Sequence, residues 1–160
     1  MLANASGTAL NVKRAGDRVD TVSAIAGLCL AVAGGVLFNL FPGQIGYYVS
    51  LAEPSRFTPL LAPDFSAHLP ALNLYWGLAS GLCIANLAML RWNIYTRCAD
   101  ATLKTLGVFI LVQMVIGGPL TLYGWFDQLA KLGLAVAIIP AGIAAIAAVR
   151  RVLAGGPRAA

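Results

Sequence analysis

Residues 104–150 read KTLGVFILVQMVIGGPLTLYGWFDQLAKLGLAVAIIPAGIAAIAAVR. No charged side chain stands between Lys104 and Asp127, and none between Lys131 and Arg150. A helix rises about 1.5 Å per residue, so the roughly 30 Å hydrocarbon core of a bilayer takes about 20 residues to cross. The two runs supply candidate spans at Thr105–Phe126 and Leu132–Val149, the second near the lower limit. Asp127 and Lys131 then read as a tight external turn between two membrane helices.

The same test, carried outward, finds Val22–Phe41 between Asp20 and Glu53, and Leu69–Leu90 between Asp64 and Arg91. Hydrophobic residues make up 59% of the 160-residue chain and charged residues 11%. A soluble globule carries about 25% charged residues, and it needs them to cover its surface. A transmembrane barrel is excluded because its strands alternate apolar and polar residues, whereas these runs are apolar on every face. The expected fold is an all-α membrane protein: four transmembrane helices (22–41, 69–90, 105–126, 132–149) in a compact bundle. Residues 1–21 form a cytoplasmic segment, 42–68 an external loop and 150–160 a cytoplasmic tail. The first run reads as a retained anchor, since it is longer than the 7–15 apolar residues of a typical signal peptide.

Basic residues set the orientation. With both termini in the cytoplasm, that face holds Lys13, Arg14, Arg18, Arg91, Arg97, Lys104, Arg150, Arg151 and Arg158 against Asp17, Asp20 and Asp100. Only Arg56 and Lys131 fall outside, with Glu53, Asp64 and Asp127. This is the positive-inside bias, and it points to a bacterial inner membrane with N-in/C-in topology. The net charge of +5 therefore reflects topology. No basic cluster with interleaved aromatics indicates a nucleic-acid partner. Arg91, Arg97, Arg150 and Arg151 are placed to meet anionic lipid headgroups, and Trp76, Trp92, Tyr95, Tyr123 and Trp125 to anchor span ends at the interface.

Small residues recur at four-residue spacing as Gly27, Ala31 and Gly35, as Gly77, Gly81 and Ala85, and as Gly133, Ala137, Ala141 and Ala145. Such ridges let helix backbones approach closely in lipid. Pro140, mid-way in the fourth span, is expected to kink it. The external loop, with Pro42, Pro54, Pro59 and Pro63 but also apolar clusters, either caps the bundle or docks on a partner.

Chemistry is sparse. The large polar residues at depth are Asn39, Asn86 and Gln113, with Ser80 beside them; Gln113 is expected to make an interhelical hydrogen bond. His68 is the one histidine and a weak candidate ligand; no cofactor or metal is expected, although a pigment or haem shared with a partner subunit would involve it. Cys29 and Cys83 read as small hydrophobes and Cys98 as a reduced cytoplasmic thiol. The favoured function is a non-catalytic membrane subunit that stabilises, positions or regulates a larger complex. A homo-oligomeric channel or carrier for a neutral solute is the alternative, and an interfacial lipid-modifying enzyme a third. Partners are the bilayer, its anionic lipids, and other membrane subunits or further copies of this chain.

Overall fold

The computed structural model describes residues 19–48 and 57–154; Lys13, Arg14, Asp17, Arg18, Glu53, Pro54, Arg56 and Arg158 lie outside the described residues. Four α-helices carry the fold: α1 (Thr21–Leu40), α2 (Leu69–Met89), α3 (Ile94–Ile116) and α4 (Gly124–Ala154). Each is long and apolar enough to cross a membrane. The chain is a multi-helix integral membrane protein.

The first two helices match the expected spans to within a residue at each end. The last two do not. Helix α3 begins eleven residues before Thr105 and stops at Ile116, ten short of Phe126. Helix α4 begins at Gly124, so it contains the supposed turn of Asp127 and Lys131, and it continues through Pro140 to Ala154.

Local chemistry explains these limits. Asn93 caps α3 with a reciprocal box: its side chain accepts from Thr96 N–H at 2.8 Å, and its own N–H donates to Thr96 Oγ1 at 3.0 Å. Within α3, Asp100 and Lys104 form an i,i+4 ion pair at 2.7 Å, and Asp127 and Lys131 do the same in α4 at 3.0 Å. Such pairs support helix rather than interrupt it. The true break is Gly117-Gly118-Pro119, where proline lacks the N–H to continue the ladder and disfavours helical angles before it. At the other turn, Leu90 closes α2 in the left-handed region (φ 53°), its N–H donating to the Asn86 carbonyl at 2.8 Å.

Residues from the end of α1 (Phe38), the start of α2 (Leu69, Leu72), the late part of α3 (Ile110, Met114) and the early part of α4 (Leu134) gather in one apolar cluster with Phe65 and Leu120. The helices therefore run alternately up and down. Contact is most extensive within the hairpins α1–α2 and α3–α4, which meet through α2 and α3.

The described part of the loop between α1 and α2 caps that clustered end. It holds two 3-10 turns, Pro42–Gln44 and Pro63–His68, and a hairpin of β1 (Gly46–Tyr48) and β2 (Phe57–Pro59). The strands are antiparallel, with Gly46 opposite Pro59 and Tyr48 opposite Phe57. A β-carbon at Gly46 would collide with the Thr58 carbonyl oxygen, so the pairing requires glycine there. Beyond β2 the chain bonds to the α3–α4 connection: Ala62 N–H donates to Leu120 O and Leu122 N–H to Leu60 O, both at 3.0 Å. The described residues of this loop thus cover the end of their own bundle.

Candidate functional site

At the opposite end of the bundle a groove of 660 Å³ opens between α1, α2 and α3. Its mouth is polar. Asp20, Ser23, Asp100 and Lys104 stand there with Trp92 of the α2–α3 connection. Asp20 caps α1, accepting from Val22 N–H at 3.2 Å and from the Ser23 hydroxyl at 2.5 Å. The Ser23 hydrogen bond holds the Asp20 carboxyl below the usual aspartate range. Deeper in, the walls are apolar and aromatic, ending at Tyr75, Trp76, Leu30 and Ala31.

One polar group interrupts that apolar wall. Asn86, one turn before the end of α2, lines the groove and is only 5% exposed. Its Oδ1 is buried without a hydrogen-bond partner among the described residues. A buried unpaired acceptor costs about 1–3 kcal/mol, so it calls for an explanation.

The other end carries a polar knot. Asp127 Oδ1 accepts from the N–H groups of Leu120 (2.6 Å) and Thr121 (3.2 Å). Its partner Lys131 reaches the Gly117 carbonyl at 3.4 Å. These two residues, expected to sit in solvent between spans, instead fix the turn between α3 and α4.

The small-residue ridges divide between internal and outer faces. Gly27 faces Cys83 and Gly35 faces Trp76 across the α1–α2 contact, with Ala31 buried on the same ridge. Gly34, which the four-residue spacing skips, meets Trp76 more closely, its would-be β-carbon 3.1 Å from the indole. In α2, Gly77 and Gly81 are exposed and face open space among the described residues, while Ala85 is half-buried. In α4 the ridge turns inward along its length, from exposed Gly133 through half-buried Ala137 and Ala141 to buried Ala145.

The aromatics separate in the same way. Trp76 lies in the α1–α2 contact, stacked on Phe38 at 5.7 Å, and not at an exposed span end. Trp92 stands beyond the end of α2, half-buried, and lines the groove together with Trp76. Tyr95 and Trp125 are exposed in the first turns of α3 and α4, and Tyr123 packs near Tyr47, ring centres 6.0 Å apart. Arg91, Arg150 and Arg151 are exposed and Arg97 half-buried at the groove end.

Gln113 sits one turn from the end of α3, exposed, and makes no side-chain hydrogen bond among the described residues. The interhelical bond expected of it is made by Asn39 with Asn73. His68 packs its ring near Phe65 and against Gly117, where a β-carbon would come within 2.9 Å of the imidazole. Among the described residues no three His, Cys, Asp or Glu side chains converge as a metal site would require. Sequence reading noted Asn86 as a polar residue at depth but missed its isolation, and missed Asn73. The signal available for Asn73 was its polarity one turn into an apolar run.

Comparison with known protein families, with characterised proteins and with solved structures finds no match to this chain.

Proposed function

We propose that the chain is a non-catalytic integral membrane subunit that stabilises or positions a larger membrane assembly, and that it docks through the outer face of α2. The reading is carried by Gly77 and Gly81. They form a GxxxG pair that faces outward, flanked by exposed Leu74, Leu78 and Ile84. Glycine in a helix weakens it unless close packing compensates. Within this chain no described side chain fills the space over the pair. A transmembrane helix of a different subunit would fit there, its backbone approaching as GxxxG surfaces allow.

The orientation proposed is N-in/C-in in a bacterial inner membrane. Among the described residues, five basic side chains (Arg91, Arg97, Lys104, Arg150 and Arg151) and two acidic ones (Asp20 and Asp100) lie at the groove end, while one basic (Lys131) and two acidic ones (Asp64 and Asp127) lie at the capped end. That bias favours a cytoplasmic groove end.

The test is co-purification of the tagged chain in mild detergent, with a photo-crosslinker at position 81. The account expects one heterologous membrane protein at fixed stoichiometry, crosslinked from position 81. It expects Gly77→Ile to abolish the association and Ile143→Ala, on the exposed face of α4, to preserve it. A homodimer lost on the same substitution, with solute flux in liposomes, would overturn the proposal in favour of a carrier.

A further inference from the structure

We propose that the groove between α1, α2 and α3 binds a neutral single-chain amphiphile by its hydroxyl head, the hydroxyl pairing with Asn86 and the chain running toward Tyr75 and Trp76. This does not rest on the docking face of α2, which lies on another side of that helix.

The argument begins with Asn86. A carboxamide buried to 5% exposure with an unpartnered Oδ1 is uncommon in a folded protein, where buried polar atoms are paired by protein or ligand. A hydroxyl both donates and accepts. It therefore pairs with either atom of the carboxamide, whichever turns toward the groove.

Length and charge narrow the ligand. From Asn86 to Tyr75 is eleven residues of helix, about 16 Å. That is close to half the roughly 30 Å hydrocarbon thickness, the depth available to one chain in one leaflet. The volume of 660 Å³ lies within the range of small-molecule sites, about 300–1,000 Å³. At the mouth stand two carboxylates, Asp20 and Asp100, and one cation, Lys104, already paired with Asp100 at 2.7 Å. Among the lining residues an anionic head therefore finds no free cation, since Arg91, Arg97, Arg150 and Arg151 of this end do not line the groove. A neutral hydroxyl needs none.

Trp76 and Trp92 line the groove and serve as reporters. The experiment uses the full chain, with Trp125→Phe to remove the remaining indole, in nanodiscs of unbrominated phosphatidylcholine. Probes are a chain-brominated monoacylglycerol, the matching brominated fatty acid at neutral pH, and brominated phosphatidylcholine. The expected result is saturable quenching by the monoacylglycerol, at least about tenfold tighter than by the fatty acid, with no saturable phase for the phospholipid. Asn86→Leu removes the unpaired acceptor, so it folds at least as stably and weakens the monoacylglycerol by about tenfold. Ala79→Phe narrows the groove without touching the carboxamide and removes saturable quenching while the fold is retained. Equal affinity for the fatty acid, quenching by bulk phospholipid alone, or unchanged affinity in the folded Asn86→Leu or Ala79→Phe protein would overturn the proposal.

Discussion

Asn39 on α1 and Asn73 on α2 hydrogen-bond each other twice, the Nδ2 of each donating to the Oδ1 of the other at 2.7 and 2.9 Å. Asn39 Nδ2 also reaches the Gly35 carbonyl at 2.7 Å. Association of helices in lipid depends on such bonds together with close packing. The pair therefore clasps the α1–α2 hairpin near its capped end. Asn39→Ala and Asn73→Ala should each lower stability by about 1 kcal/mol, and the double variant should lose much less than the two losses combined. Unfolding by SDS titration of the detergent-solubilised chain measures the cycle; additive losses would contradict the pairing.

Asp127 is the residue on which the α3–α4 turn depends most. Leu120 is only 4% exposed, and its N–H is one of two that bond to this carboxylate. Asp127→Ala strands both donors and should cost about 2–3 kcal/mol. Asp127→Asn keeps an acceptor and loses only the charge pairing with Lys131, so its loss should be clearly smaller. The same SDS titration reads both, and equal losses would place the effect in the ion pair alone.

Leu90 offers a stabilising substitution. It closes α2 at φ 53°, a conformation that costs a residue with a β-carbon about 1–2 kcal/mol and costs glycine almost nothing. Its side chain is 57% exposed, so little packing is lost with it. Leu90→Gly should raise stability by about 1 kcal/mol, net of the greater chain entropy of the unfolded glycine variant. Thermal unfolding in detergent decides the sign.

Much of this fold was legible in the chain. Charge-free runs located α1 and α2 to within a residue, because Asp20 and Arg91 lie just outside those helices. The same rule failed for α3 and α4, where charges lie inside helix ends as i,i+4 pairs. A helix of 31 residues is about 46 Å long and extends past the hydrocarbon, so charge marks the limit of the lipid and not of the helix. Local signals were the better guide there: Asn93 and Thr96 at capping-box spacing, and Gly117-Gly118-Pro119 as a stop. The groove was less legible. Asn86, Trp92 and Asp100 are brought together by the close α2–α3 turn, and their separation in sequence reports neither the burial of Asn86 nor the absence of a partner for its Oδ1.

Labelling of single cysteines at positions 91 and 122, in a background lacking Cys29, Cys83 and Cys98, tests the membrane-crossing arrangement most directly. The first position follows α2 and the second precedes α4 at the other end of the bundle, where Leu122 is 48% exposed. A membrane-impermeant maleimide applied to intact cells should label position 122 and leave position 91 protected until the membrane is opened. Labelling of both positions from the same side would contradict four helices crossing in alternate directions.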